Sequence, residues 1–345
     1  MVQTEENKYI QSWYHVASEK KQSEHWVTPF LSLPIPDLTD VRFLRVASDI
    51  GGTTDKYFFT DSKGQTWLVK VPYAHTFVKG RPVDYTYEPT GQIRLETWKV
   101  ASQVLFSNMT KLLNLSNYVP VHEFSFYDTI KQRHVVGTIQ YWLGDGIGTL
   151  RTDDVDADPR SLSPKQKLDF ATDHVIDWLL SNHESTGSNY LVHRGRVVPV
   201  DKEHCFRFLL PTARYAQTYP DGDALDLRFP IKALTPVFAH KFWGLFAQGA
   251  LDFDPRALRP VVEAIEAVPD AEHLALLAPF LRSDYFVHEQ PGQEEAFLAR
   301  AVARKRGVRA DYERFLTRLY RARLAADAGR FTFAGGWDAA AAEST

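Results

Sequence analysis

The chain has 345 residues, of which 44% are hydrophobic and 24% charged, the balance of a soluble globular protein with one large or two ordinary domains. A formal net charge of −3 excludes a global attraction to nucleic acid or to an anionic membrane, and the single cysteine excludes an intramolecular disulfide and a multi-cysteine zinc site. The first residues lack the basic-then-apolar order of a signal peptide, and no run reaches the ~18 apolar residues that span a bilayer. The sequence therefore predicts a cytoplasmic protein.

Aromatic and β-branched residues dominate the first half of the chain and predict strands. Three strands are expected after a proline-marked connection, over 41–47, 56–61 and 66–71. Apolar residues at helical spacing then predict a helix over 91–109. Two further strands follow, over 122–128 and 134–143.

The second half is richer in Ala, Leu and Arg and predicts helices. The clearest spans 163–183, where Ser163 precedes Pro164 as a cap precedes a first helical residue. Two short strands, NYLVH and VVPVD, follow around the turn RGR. Later helices are predicted over 254–268, 294–307 and 311–327. A strand-bearing part followed by a helical part predicts an α+β fold.

Two polar residues flank the predicted hairpin of residues 189–201. Asn189 ends the loop before its first strand, and Asp201 ends its second strand. Pairing of the two strands would bring both side chains to one end of the hairpin. Amide and carboxylate oxygens are the hard ligands that Mg²⁺ prefers, so the pair predicts a magnesium site suited to phosphoryl transfer.

The segment NHESTGSN, residues 182–189, and the segment VDKEHCF that contains Asp201 resemble the catalytic and metal loops of phosphatidylinositol kinases and HipA-like kinases. Those kinases have a loop N-x-D-x-H-x-x-N, then a hairpin and a metal-binding Asp. This chain departs from the pattern at two positions, with Glu184 in place of the catalytic Asp and Thr186 in place of the His. The resemblance implies that Glu184 orients or deprotonates the acceptor hydroxyl, and His183 is the alternative base.

The upstream half resembles the same kinases in a glycine-containing phosphate loop followed by a strand lysine. Gly51 and Gly52 let backbone N–H groups approach phosphate oxygens, and Thr53 and Thr54 add hydroxyl donors. Lys70 lies in the apolar strand TWLVKV, where a lysine must face solvent or meet an anion. The resemblance implies that Lys70 holds nucleotide phosphates.

Three further residues take their predicted roles from this resemblance. Glu96, on the predicted helix, is the expected ion-pair partner of Lys70, and Glu88 is the alternative. The segment QYWLGDG resembles the hinge between two kinase lobes, so Gln140 and Trp142 are expected beside adenine.

The sequence thus predicts a bilobal α+β fold of the protein-kinase-like type, with an antiparallel-sheet N-lobe and a mainly helical C-lobe. The predicted divisions are an N-terminal extension, the N-lobe, the C-lobe and a flexible tail, over 1–40, 41–142, 143–330 and 331–345. The expected activity is transfer of phosphate from ATP, with Mg²⁺, to a hydroxyl of a protein, a peptide or a small molecule. Two alternatives stay open: a nucleotidyltransferase on the same fold, and a catalytically silent nucleotide-binding module.

A basic segment lies outside this pattern. Residues 300–330 contain ten Arg and Lys residues interleaved with an apolar stripe at helical spacing. This pattern predicts a helix that packs on the C-lobe and keeps a solvated basic face. Docking of an acidic partner on that face is the alternative.

Overall fold

The protein is described by a computed structural model over residues 36–48, 50, 54–78, 81–144, 147–152, 155–182, 185–206, 209, 238–288 and 290–326. None of the helices in these ranges combines the length and the apolar character that crossing a bilayer requires.

A five-stranded antiparallel sheet forms the N-lobe, in the order β1–β2–β3–β7–β6. All five strands fall where the sequence predicts them. They are β1 (Arg42–Val46), β2 (Asp55–Thr60), β3 (Thr66–Val71), β6 (Val121–Asp128) and β7 (Arg133–Tyr141). One face of the sheet packs a core of aromatic and β-branched residues, which includes Tyr57, Trp67, Val69, Phe124 and Ile139.

The chain between β3 and the first helix differs from the prediction. It forms a two-stranded hairpin, β4 (His75–Val78) and β5 (Arg81–Tyr85), that the sequence did not indicate. Ile93 and Leu95 then form β-bridges with Tyr87 and Tyr73, so this stretch is extended. The helix predicted from residue 91 therefore begins later, as α1 (Thr97–Leu112).

Helix α1 is anchored to the second lobe. Asp284 accepts hydrogen bonds from the hydroxyl of Thr97 and from the backbone N–H of Trp98, both at 2.9 Å. The backbone N–H of Asp284 donates in return to the Thr97 hydroxyl, at 3.0 Å. Asp284 thus satisfies N–H groups that a helix N-terminus leaves without partners, and it joins α1 to the C-lobe.

The C-lobe has one large apolar core, to which its helices and the face of α1 contribute. The described helices here are α2 (Pro164–Leu179), α3 (Phe238–Ala247), α4 (Arg259–Ala267), α5 (Asp270–Leu281), α6 (Asp284–His288) and α7 (Glu294–Ala326). Helix α2 begins with the predicted Ser163 cap, completed by Gln166 in a capping box. Helix α7 is a single helix where the sequence suggested two, and α3, α5 and α6 were not predicted.

Five short strands complete the described C-lobe. Strands β11 (Tyr190–His193) and β12 (Arg196–Pro199) form the predicted hairpin, and β8 (Gly148–Thr149) adds to β11. Strands β9 (Arg151–Thr152) and β10 (Val155–Asp156) pair with each other.

The predicted architecture is confirmed: an antiparallel-sheet N-lobe is followed by a mainly helical C-lobe, in an α+β arrangement. The division of the chain into an extension, two lobes and a tail stays a prediction. Residues 331–345 lie outside the described residues.

Candidate active site

The N-lobe sheet carries charged residues on the face opposite its core. Leu68 and Lys70 alternate along β3 with residues that point into the N-lobe core, so they lie on the other face. Their cross-strand partners on β2 are Phe58 and Lys56. This face therefore combines an apolar pair with a pair of lysines.

The β11–β12 hairpin places the two predicted metal ligands at one end. Its turn consists of Arg194 and Gly195, both with positive φ, as two-residue hairpin turns of this type require. At the open end, the N–H of Val200 donates to the carbonyl oxygen of Asn189 at 2.8 Å. Because Asp201 follows Val200 directly, Asn189 and Asp201 flank the same end of the hairpin.

Lys70 and Asp201 meet, although 131 residues separate them in sequence. The Lys70 ammonium donates to the Asp201 carboxylate at 2.6 Å, and the two side chains are 6% and 38% exposed. Asp201 has a φ of +61°, in the left-handed region that non-glycine residues seldom adopt and that often marks functional sites. The structure thus joins the lysine predicted to hold phosphate with the carboxylate predicted to bind metal.

The predicted ion pair between Lys70 and Glu96 does not form in this structure, where Lys70 pairs with Asp201. Glu96 is the residue before α1, and its carboxylate pairs with Lys99 at 2.9 Å. The alternative, Glu88, lies in a turn in which its carbonyl accepts from the N–H of Gly91. The extended path of residues 92–96 delays the start of α1, and Glu96 therefore occupies the end of the helix instead of its inward face.

Glu203, two residues after Asp201, is a charged residue of the site that the sequence analysis did not single out. Its buried carboxylate accepts from the Thr54 hydroxyl at 3.2 Å and the Gln103 amide at 3.4 Å. The Lys99 ammonium lies 3.6 Å away. Burial alone would raise the pKa of Glu203, but Lys99 and His204 outweigh it and hold the pKa well below its usual value. The sequence feature that could have indicated Glu203 was its position two residues after the predicted metal ligand Asp201.

Thr54 is the described residue of the predicted phosphate loop. Gly51, Gly52 and Thr53 lie outside the described residues. The Thr54 hydroxyl reaches Glu203 and its carbonyl oxygen accepts from the Lys56 ammonium at 2.9 Å. The C-terminal end of the predicted loop is therefore fixed to both β2 and the segment after Asp201.

A second charged cluster lies beneath the hairpin, around Lys202. This lysine is buried, and it donates to two carboxylates of α2, those of Asp173 at 2.6 Å and Asp177 at 2.8 Å. Burial raises the pKa of Asp173 above its ordinary value, and Asp177 raises it further against the lowering effect of Lys202. The two aspartates in turn outweigh burial and raise the pKa of Lys202.

This cluster holds two residues of the predicted catalytic loop, residues 182–189. The side-chain amide of Asn182 donates to Asp177 at 2.7 Å, and the Ser185 hydroxyl also donates to Asp177. The predicted base, Glu184, and its alternative, His183, lie outside the described residues. Asn182, the first asparagine of the kinase-like pattern, thus orients the loop through Asp177.

Two small apolar clusters, separate from the main cores, approach the Lys70–Asp201 contact from opposite lobes. The first contains Ala47, Phe58 and Leu68 with the partly buried Ile50 and Trp142. The second contains Val119 and Val198 with the partly buried Leu143 and Leu191. Leu68 precedes Lys70 by two residues and Val198 precedes Asp201 by three. Each cluster therefore includes a residue close in sequence to one member of the charged contact.

The predicted hinge residues take two different positions. The Trp142 ring packs edge-on against Phe58 at 5.1 Å between ring centroids, while its backbone N–H donates to the Thr66 carbonyl at 3.0 Å. The backbone N–H of Trp142 is therefore already bonded within the N-lobe, and its ring packs in the cluster with Phe58. Gln140 is buried and lines a small pocket with Gln103, Phe106, Val200 and Asp201 among others.

The basic segment is partly neutralised within the chain. On α7, Lys305 and Arg306 pair with Asp270, and Arg309 pairs with Glu266. The Arg304 guanidinium is buried and donates to the Trp178 carbonyl at 2.9 Å. These contacts fit the prediction of a helix packed on the C-lobe. Docking of an acidic partner on this helix stays a prediction.

Comparison with known proteins gives structural likenesses only. No protein-family model matches the sequence, and no curated protein is similar to it. The Golgi casein kinase aligns over 88% of this chain and 78% of its own, with 13% identity and a TM-score of 0.38. Hydra Fam20 with sugar aligns over 80% of this chain and 87% of its own, with 11% identity and a TM-score of 0.41. The maize sucrose-induced receptor kinase domain bound to AMP-PNP aligns over 83% of this chain and 98% of its own, with 14% identity and a TM-score of 0.28. None of these likenesses assigns a role to a residue of this chain.

Proposed function

We propose that this protein is an ATP-dependent phosphotransferase of the phosphatidylinositol kinase and HipA-like type, which transfers phosphate to a hydroxyl group. One observation carries the proposal: the β3 lysine, Lys70, lies 2.6 Å from Asp201 at the open end of a hairpin that also presents Asn189. This is the arrangement of cation and hard oxygen ligands that phosphoryl transfer from a nucleotide needs.

The nucleotide would lie between the two lobes. The apolar clusters around Trp142 and Leu143 supply surfaces for the adenine ring, and Lys70 supplies a cation for the phosphates. Asp201 is over one-third exposed, so its carboxylate is accessible to a ligand. Its pairing with Lys70 would be exchanged for contacts with phosphate and metal.

Asn189 and Asp201 fit a magnesium ion, because their oxygens are hard donors held at one end of the hairpin. When bound, such an ion would supply positive charge that offsets the negative charge developing during transfer. The structure describes no cluster of three or more acidic, histidine or cysteine ligands, and one or two protein oxygens suffice where phosphates and water complete the coordination.

Glu184 is proposed to orient the acceptor hydroxyl or accept its proton. The acceptor oxygen forms a bond to the γ-phosphorus, the bond from this phosphorus to the β–γ bridging oxygen breaks, and ADP leaves. The hydroxyl proton passes to the Glu184 carboxylate. Asp177 accepts hydrogen bonds from Asn182 and Ser185, which lie on either side of the segment that carries Glu184.

A protein or peptide hydroxyl is the first choice of acceptor, because HipA-like kinases, which the catalytic segment resembles, act on proteins. A small-molecule alcohol comes second and an inositol lipid third. The structure itself describes no bound acceptor, so this ranking rests on the resemblance.

A catalytically silent nucleotide-binding module is the second candidate. The observation in its favour is the position of Glu96, which pairs with Lys99 while Lys70 pairs with Asp201. Nucleotidyl transfer by the same fold is the third candidate, since it needs the same nucleotide site.

Incubation with ATP labelled at the α- or the γ-phosphate separates these candidates. The protein is mixed with cell extract and Mg²⁺, and the label on macromolecules and small alcohols is measured. Transfer of the γ label alone is the expected result. Transfer of the α label would identify a nucleotidyltransferase, and nucleotide binding without transfer of either label would identify a silent module.

A further inference from the structure

Lys56, on β2, is a buried lysine that lacks a carboxylate partner among the residues the structure describes. It is 8% exposed, and its ammonium donates to the carbonyl oxygen of Thr54 at 2.9 Å. The neighbouring lysines differ, because Lys70 pairs with Asp201 and Lys99 pairs with Glu96. A neutral carbonyl compensates a buried ammonium less well than a carboxylate does.

The surroundings of Lys56 add to this imbalance. Lys56 lies directly across from Lys70 in the antiparallel pair of β2 and β3, so the two ammonium groups share one face of the sheet. Burial lowers the pKa of Lys56 first, and Lys70 lowers it further, while Asp201 and Glu203 act in the opposite direction. Like charges at such positions destabilise a sheet, so this pair is best explained by an anion that binds to both.

We propose that Lys56 is a second phosphate-binding lysine, whose ammonium contacts a phosphate oxygen of the nucleotide beside those held by Lys70. The inference rests on the proposed nucleotide site and extends it, since nothing in the sequence pattern assigned a role to Lys56. Its ammonium also holds the carbonyl of Thr54, at the end of the predicted phosphate loop. The site would therefore select nucleotides by their phosphate groups, through two lysines on neighbouring strands.

The test compares Lys56→Met with Lys63→Met, a matched control on the exposed β2–β3 turn. Affinities for ATP, ADP and adenosine are measured with Mg²⁺ by calorimetry, with adenosine measured by competition. We expect Lys56→Met to bind ATP about tenfold to a hundredfold more weakly than the unaltered protein, because a charge-assisted hydrogen bond is lost. Adenosine affinity should not change, and Lys63→Met should bind all three ligands normally.

The melting temperature without ligand provides a second measurement. Lys56→Met should melt at the same temperature as the unaltered protein or higher, because methionine fills similar space without a buried charge. A lower melting temperature would overturn the proposal, since it would show that the ammonium stabilises the fold. Unchanged ATP affinity, or an equal loss for adenosine and ATP, would overturn it as well.

The proposed phosphotransfer and the proposed role of Lys56 can fail separately. If the unaltered protein binds ATP and transfers phosphate while Lys56→Met binds ATP equally well, the inference about Lys56 fails alone. If Lys56→Met shows the selective loss and no label is ever transferred, phosphotransfer fails and the role of Lys56 in binding stands. If the unaltered protein binds no nucleotide, both fail.

Discussion

Lys56 and Lys202 are both buried, but the fold compensates their charges in different ways. Lys202 donates to Asp173 and Asp177, two carboxylates on α2. Lys56 donates to one carbonyl oxygen and faces a second lysine across the strand pair. The charged cluster around Lys202 contains two counter-ions for one lysine, whereas the two lysines on the face of the sheet have one close carboxylate, that of Asp201, which pairs with Lys70.

The boundary between these two regions falls between adjacent residues. Asp201 turns toward Lys70 in the N-lobe, and Lys202 turns into the C-lobe toward α2. The left-handed backbone of Asp201 accompanies this change of direction. The same segment thus contributes Asp201 to the proposed ligand site and Lys202 to the charged cluster that holds the predicted catalytic loop. Substitutions on the two sides should therefore affect different properties, namely ligand binding and turnover on one side and stability on the other.

The largest expected effect is the loss of transfer rate when Glu184 is replaced. Its neighbours Asn182 and Ser185 donate hydrogen bonds to Asp177 of the Lys202 cluster. Glu184→Gln should reduce the rate of transfer by about 10²- to 10⁴-fold, because loss of a general base has this effect. ATP affinity should stay unchanged. Steady-state kinetics and calorimetry measure the two quantities, with the exposed Glu123→Gln as the control. Full activity in Glu184→Gln would place the base elsewhere, and His183 would be tested next.

Removal of Lys202 should mainly lower stability. Lys202→Met leaves two carboxylates buried without a cation, and the expected loss is about 3–5 kcal/mol in the free energy of unfolding. Lys70→Met is the matched comparison, since Asp201 is 38% exposed and can be hydrated when its partner is removed. Its expected stability loss is below about 1 kcal/mol, with a clear loss of ATP binding. Denaturant titrations of both variants check this difference, and equal losses would contradict the division into two regions.

On the ligand side, Asp201→Asn and Asn189→Ala should each reduce turnover while leaving the fold intact. We expect a loss of about 10²- to 10³-fold, the usual effect of removing one group that stabilises transition-state charge. The measurements are turnover with Mg²⁺ and the melting temperature without ligand. Asp252→Asn, an exposed aspartate in the C-lobe, is the control. Unchanged turnover in Asp201→Asn would refute its assignment as a metal ligand.

Local patterns in the sequence predicted the five strands of the large N-lobe sheet and the hairpin that joins Asn189 to Asp201. These patterns work because alternation and turn residues act between near neighbours. The pattern did not predict the start of α1, because Ile93 was assigned to the apolar face of the helix but is held extended by its bridge to Tyr87, as Leu95 is by its bridge to Tyr73. Partners distant in the chain overrode local preference there.

The charged contacts of the site were even less accessible from the sequence. The bond from Thr54 to Glu203 joins residues 149 positions apart, and the pairing of Lys99 with Glu203 depends on how α1 docks on the C-lobe. Lys202 stands between two acidic residues in VDKEHCF, and nothing local shows that it points to α2. Such contacts follow from tertiary packing, which a single sequence does not report.

The smallest expected effect is a change in the pH dependence of stability, and it tests whether the Lys202 cluster holds an extra proton. Burial and Asp177 raise the pKa of Asp173 above its ordinary value of 3.8. Above pH 3.8 the folded protein therefore keeps a proton on Asp173 that the unfolded chain has lost. The contribution of Asp173 to the free energy of unfolding consequently falls as pH rises from 3.8 through the raised pKa. Asp173→Asn, which resembles the protonated acid, removes this dependence.

The quantity to measure is the difference in the free energy of unfolding between the unaltered protein and Asp173→Asn, from about pH 4 to pH 7. We expect the unaltered protein to lose stability relative to the variant as pH rises, by at most about 1.4 kcal/mol per pH unit. His122 and His273, whose pKa values burial lowers to about 4, act in the opposite direction in both proteins and cancel in the difference. A flat difference would show that Asp173 is ionised throughout. Lys202 would then lie between two ionised aspartates, and its cluster would carry an excess negative charge. The Lys202 cluster would differ from the surroundings of Lys56 by that excess charge, and not by a proton held on Asp173.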